Sequence, residues 1–399
     1  YIDNDGTGSL TPHFHDNLND ILNEMYGGNY QRQDLFAPTA PTIMDKNLKM
    51  PSSWKSSLAI DGMLPGGIKA TLEGIFSKDL TSVKVYRLGQ TRGEMQLPGE
   101  PETRAYWTNE NVENSNGTPI NPYYLTNSSK NGYYGSFTAQ LQKDFHFGLS
   151  LMAAYTYSNS KSLGEGWGDQ VSSAYSAMNY SKDGSNVEEL GYSGFVSPNR
   201  FIANISYSVN EGRWGTSTFS LFYEGYNHCY IGNYSYSRMS YTISNAYRDY
   251  ALSNDYGTQQ LIYIPTVEEL ASMPFEDEAN KQAFEEFIAS DKYLSKHRGE
   301  YSTRGAVVAP WQSRFNFKFT QDFHFPVAGQ THTLQVGPDI NNVANLLNKN
   351  WGLTDRVDSD RLLRFDTETQ TYTYMPQTWG KYANTFNTWN MLLSVRYFF

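Results

Sequence analysis

Between Thr388 and Phe399 the chain alternates without a break. Trp389, Met391, Leu393, Val395, Tyr397 and Phe399 form an apolar row with no charge, while Thr388, Asn390, Leu392, Ser394, Arg396 and Phe398 form a mostly polar one. A period of two specifies a strand. Its length says which kind: globular strands run about 5 or 6 residues, whereas a strand crossing a bilayer at a steep tilt needs about 9 to 11. One face suits hydrocarbon and the other suits water.

The same pattern recurs upstream. Alternation predicts strands over about 54–62, 68–78, 132–142, 148–159, 199–209, 214–226, 311–321, 331–342 and 387–399. Wherever the alternation is clear, the apolar row reads as free of charge, as it must be where a charge at mid-membrane costs about 2 to 4 kcal/mol. The connections also sort by length. Four short turns, among them Leu64-Pro65-Gly66-Gly67 and Asn210-Glu211-Gly212-Arg213, alternate with long polar segments over about 79–131, 160–198, 227–310 and 343–386, and 1–53 reads as a leading exposed loop. The tetrapeptide Asp-Phe-His-Phe, at 144–147 and again at 322–325, is read as a turn both times. A β-sandwich has no reason to place all its short turns on one side; an outer-membrane barrel does. The expected fold is therefore an all-β, antiparallel, up-and-down transmembrane β-barrel. About nine strands is an odd number, and an open sheet in lipid would leave its edges unpaired, so this reading makes the chain the C-terminal portion of a larger barrel. Within the longest connection, Ala283, Phe284, Phe287 and Ile288 recur at helical spacing, which predicts a helix over about 276–290.

Composition changes this picture little. The chain has 399 residues, a formal charge of -10 and a mean hydropathy of -0.59, and no apolar run is long enough for a helical span. Acidity opposes a nucleic-acid partner. Tyrosine, at 31 residues, is over-supplied; its apolar ring and wet hydroxyl suit the membrane interface. The single Cys229 excludes an internal disulfide.

Several stretches resemble the C-terminal barrel half of TonB-dependent outer-membrane receptors, in particular the Oar-like and SusC-like branch of Bacteroidetes. They are LKMPSSWKSSLAIDGMLPGG at 48–67, YYLTNSSKNGYYGSFTAQLQKDF at 123–145, GLSLMAAYTYSNSKS at 148–162, SSAYSAMNY at 172–180, PNRFIANISY at 198–207, LIYIP at 261–265, HRGEYSTRGAVVAPWQSRFNFKFTQDF at 297–323 and NNVANLLNKNWG at 341–352. Pro198-Asn199-Arg200 stands where that family often has Pro-His-Arg. The resemblance implies a plugged barrel of about 22 strands in the bacterial outer membrane. It would import a bulky nutrient with energy from TonB, through a plug and a TonB-contacting segment upstream of residue 1. It also implies contact with outer-membrane lipid, a surface lipoprotein partner, and recognition by the barrel-assembly machinery of the terminal row Trp389, Met391, Leu393, Val395, Tyr397 and Phe399. The alternative is a structural, adhesive or complex-forming barrel that does not import.

Candidate chemistry lies on the long connections. Trp107, Trp167, Tyr226, Tyr230, Tyr234 and Tyr236 could stack on a sugar or peptide ligand, or pack on one another. Asp3-Asn4-Asp5-Gly6-Thr7-Gly8 resembles the start of a calcium loop, so Asp3 and Asp5 are weak metal candidates, but the twelfth position is Phe14 and supplies no carboxylate. His13 with His15, and His228 with Cys229, lack the further ligands a zinc site requires. No nucleophile elbow, phosphate loop or metallohydrolase motif is present, so neither an enzyme nor a cofactor is expected.

Overall fold

A computed structural model describes residues 41–109, 112–113, 119–120, 122–165, 170–176, 180–212, 215–245 and 260–399. Its framework is nine long strands: β1 (Ser52–Leu64), β2 (Ile68–Thr81), β3 (Tyr133–Asp144), β4 (Leu149–Ser162), β5 (Asn199–Asn210), β6 (Thr216–Asn227), β7 (Trp311–Val327), β8 (Gln330–Asn341) and β9 (Asn390–Phe398). Each pairs antiparallel with the next in chain order, and a short strand, Gly191–Tyr192, adds to the end of β4. Among the described residues β1 and β9 are the two edges, and they do not pair with each other.

Register carries the alternation across the whole sheet. One line of directly paired residues runs Leu151, Ile205, Leu221, Phe317, Ile340, Met391, all apolar and all on one face. The other face is polar and partly cross-linked: the Thr138 and Thr156 hydroxyls lie 2.9 Å apart, Ser206 and Ser220 3.0 Å, and Lys318 Nζ sits 3.6 Å from Asp339. Such cross-strand pairs hold a sheet in register, since a slip of one residue would put every apolar side chain on the wet face. The apolar row is free of charge only along the middle of the strands. Lys78, Lys143 and Lys161 continue it at strand ends, opposite Tyr133, Leu151 and again Tyr133. At an end a long side chain can bury its stem and keep its ammonium in water; Lys78 Nζ donates to Asn131 O at 2.9 Å, and Lys161 lies over the Tyr192 ring.

Aromatic rings mark both ends of the apolar face. Near the short turns His332 and Phe399 flank Tyr397 at 5.5 and 6.1 Å, with Phe325 6.3 Å away; near the long connections Phe201, Tyr223 and Phe315 form a second cluster at 5.9 and 4.8 Å. Two aromatic belts flanking an apolar band are what membrane interfaces select. The terminal residues Met391, Leu393, Val395 and Tyr397 are exposed on this face.

One turn differs from expectation. The second Asp-Phe-His-Phe lies inside β7, which is 17 residues long, and the chain reverses later, with Val327 paired to Gln330. Ala328 and Gly329 both take positive φ, 50° and 85°, and two such residues make the tight hairpin whose twist suits flanking strands. At the β1–β2 turn Gly66 and Gly67, at φ 81° and 70°, fill the same role without strain.

The long connections all leave from one end of the sheet and fold together into a cap. Leu97 from the β2–β3 connection, Ile243, Ile262, Ile264, Phe284 and Ile288 from β6–β7, and Leu363, Phe365 and Tyr372 from β8–β9 share one buried core. Parallel ladders stitch remote segments together: Cys229–Ile231 pairs with Thr354–Val357, and Thr242–Asn245 with Arg361–Asp366. Two α-helices contribute to this core. In α1 (Val267–Ser272) Thr266 and Glu269 form a reciprocal cap; in α2 (Glu278–Ser290) Asp277 accepts from Asn280 N and the helix buries Phe284 and Ile288. Arg104, wholly buried, binds Glu100 through Nε at 2.5 Å and donates Nη1 to Leu261 O at 2.6 Å, tying two connections at one guanidinium.

Candidate functional site

Where the polar face of the sheet meets the cap there is a cavity of about 540 Å³. Its strand side is lined by Tyr134, Thr156, Ser158, Arg200, Glu224 and Tyr226, and its cap side by His228, Ser235 and Tyr236 among others. Arg200 on β5 and Glu224 on β6 are diagonal neighbours, with Nε donating to Oε1 at 3.0 Å. This pair leaves the floor polar and close to neutral.

A file of rings rises from that floor. Tyr226 ends β6 on the polar face, and the alternation continues past the strand, so that His228 and Tyr230 follow at two-residue steps with centroids 5.4 and 5.5 Å apart. Tyr230 packs at 4.6 Å on Tyr382, which comes from the β8–β9 connection, and Arg356 caps Tyr382 at 5.1 Å. Burial lowers the pKa of His228 and favours the neutral imidazole. A neutral ring has one donor and one acceptor: Nδ1 donates to Gln312 Oε1 at 2.9 Å, and Nε2 accepts from Ser235 at 2.7 Å. That orients the ring between its two tyrosine neighbours. The result is a half-buried aromatic file with hydroxyls along its edge, able to offer flat apolar faces and polar handles to one ligand.

The aromatic residues read from the sequence have different fates. Tyr226 and Tyr230 are in the file. Tyr234 is 50% exposed on the neighbouring short strand, and Tyr236, on the cavity wall, is buried and stacks on Phe195 at 5.4 Å. Trp107 is buried in the cap, its Nε1 donating to Asp183 O at 2.8 Å, away from this cavity. Trp167, Asp3 and Asp5 lie outside the described residues. His228, Tyr382, Arg356, Arg200 and Glu224 were not singled out as ligand residues. The Tyr-x-His-x-Tyr spacing carries a signal for His228, but nothing local announces Tyr382, because its partner lies 152 residues earlier. Among the described residues no three His, Cys, Asp or Glu side chains gather as a metal site.

A family model described as an outer membrane beta barrel domain matches residues 7–361. The chain belongs to this family. No curated protein and no solved structure matches it. The two faces of the sheet thereby gain a setting: as an outer membrane β-barrel in the bacterial outer membrane, the protein turns its apolar face to lipid and its polar face, with the aromatic file, to the lumen.

Proposed function

We propose that the barrel is part of a TonB-dependent importer, and that the lumenal cavity with its aromatic file is where a bulky nutrient, an oligosaccharide or a peptide, is held. The observation that carries this reading is the unbroken run Tyr226, His228, Tyr230, Tyr382, which leads from the cap into the lumen along one face. Barrels of this class place short turns in the periplasm and long loops outside, so the cap is the extracellular end and meets substrate first. Among the described residues the edges at β1 and β9 have no partner strand, which supports closure by further strands, because an open edge in hydrocarbon leaves backbone groups unsatisfied. The sequence resemblance supports a plug and TonB as the energy source, with the assembly machinery reading the terminal row. Removal of the TonB system should abolish uptake, and uptake that persists would refute the import reading. For the site, Tyr226→Ala with Tyr230→Ala should weaken binding. Each aromatic contact is worth about 0.5 to 1.5 kcal/mol, so the pair should lose roughly 5- to 160-fold in affinity.

The compact cap favours a second reading, a structural or adhesive barrel, because Trp107 and Tyr236 serve its packing. Uptake measurements separate the two.

A further inference from the structure

A second cavity, of about 370 Å³, lies away from the aromatic file at the loop ends of β1, β2 and β4. Ser52, Thr81, Ser82 and Ser162 line it with hydroxyls, Asp79 contributes a carboxylate, and Lys84 forms part of the wall. Lys84 belongs to a short strand, Val83–Arg87, that pairs with Tyr123–Asn127, and it is only 4% exposed. Among the described residues its ammonium has neither a hydrogen bond nor an ion pair. The carboxylate whose charge favours the ammonium, Glu188, is already engaged: Tyr86 donates to Oε1 at 2.9 Å, and Ser129 donates to Oε2 through N at 3.2 Å and Oγ at 2.6 Å. The buried Arg304 adds like charge, and its Nη1 donates to Leu163 O on the same cavity wall. Burial together with that repulsion brings the Lys84 pKa down to about 8. A buried ammonium without a partner is costly, and an anion beside it removes the cost.

We infer that this cavity is a binding site for a small oxyanion, a carboxylate or phosphate group, held by Lys84 and the surrounding hydroxyls. Asp79 on the same cavity favours an oxyanion that also carries ammonium or hydroxyl donors over a bare polyanion. The site is independent of import and of the aromatic file.

The test is thermal unfolding of the whole chain in detergent micelles, titrated with sodium acetate, glycine or inorganic phosphate at ionic strength matched with sodium chloride. A saturable rise in unfolding temperature with any of the three supports the site. A larger effect of glycine than acetate brings in Asp79, and an effect of phosphate alone names the group. Lys84→Arg should keep the response and Lys84→Met should lose it. In chloride alone Lys84→Met should be at least as stable as the parent, since it removes an uncompensated charge. The inference is overturned if no anion acts beyond chloride, if Lys84→Met responds like the parent, or if Lys84→Met unfolds earlier in chloride, which would mean that the ammonium already has its partner.

Discussion

The sharpest test of the sheet compares two adjacent residues. Ile205 and Ser206 follow one another on β5 and face opposite ways: Ile205 pairs with Leu151 and Leu221 on the lipid face, and Ser206 pairs with Ser150 and Ser220 on the lumenal face. Ile205 lies midway between the Phe201 level of one aromatic belt and the short-turn end of the strand, near the middle of the hydrocarbon. Arginine there costs about 2 to 4 kcal/mol, a factor of roughly 30 to 900 in the folding equilibrium. Arginine at 206 costs only the 3.0 Å contact with Ser220, about 1 kcal/mol, and its guanidinium stays in water. Ile205→Arg and Ser206→Arg would be compared by urea unfolding in phospholipid vesicles, read by tryptophan fluorescence and by heat-dependent gel mobility. The Ile205 variant should be the less stable by at least about 1 kcal/mol. Equal losses, or the reverse order, would mean that the apolar row does not face hydrocarbon, and the assignment of the two faces would fail.

The cap offers three further tests. Phe284 is fully buried at its centre, so Phe284→Ala should cost about 3 to 5 kcal/mol and expose the connections to limited proteolysis, while the heat-dependent gel mobility of the barrel remains. Glu100→Gln strips the counter-charge from the buried Arg104 and should destabilise the cap by about 3 to 5 kcal/mol, more than Arg104→Met in the same proteolysis assay. Burial raises the pKa of Asp360 from 3.8 to about 6, so the folded cap prefers the protonated carboxyl. The stability this gives is whole below about pH 4 and is lost as pH rises through about 6, a change of about 3 kcal/mol. Against the parent, Asp360→Asn should show a flatter profile over that interval, and parallel profiles would refute the assignment.

How much of this was legible in the sequence depends on which solvent each segment meets. Strands between lipid and water must alternate, and the register cannot slip without exposing the whole row, so Thr388–Phe399 or Phe201–Val209 carry their structure in every second residue. The limits of that code appear at β7. Its Asp-Phe-His-Phe-Pro run looks like the turn at 144–147, yet near the belt at the short-turn end aromatic side chains are favoured on a continuing strand, and the reversal waits for the two positive-φ residues Ala328 and Gly329. The lysines at 78, 143 and 161 show the converse, because the rule against charge weakens toward the interface where the strand ends.

The cap obeys a different constraint. Helix α2 was readable because Phe284, Phe287 and Ile288 keep a local period. Of the rings that stabilise it, Phe275 is local, but Tyr374, and Tyr372 through Phe275, reach it across the whole of β7 and β8. Short parallel ladders such as Thr242–Asn245 with Arg361–Asp366 leave no alternation long enough to detect, since four residues span only two periods of a strand. The aromatic file straddles the two regimes. Its lower half, Tyr226, His228 and Tyr230, inherits the strand's period and was open to reading; its upper half is closed by Tyr382, which only tertiary folding delivers. A site built at the junction of a lipid-ordered sheet and a self-packed cap is therefore half visible from sequence, and the invisible half is the one that decides whether the rings line up.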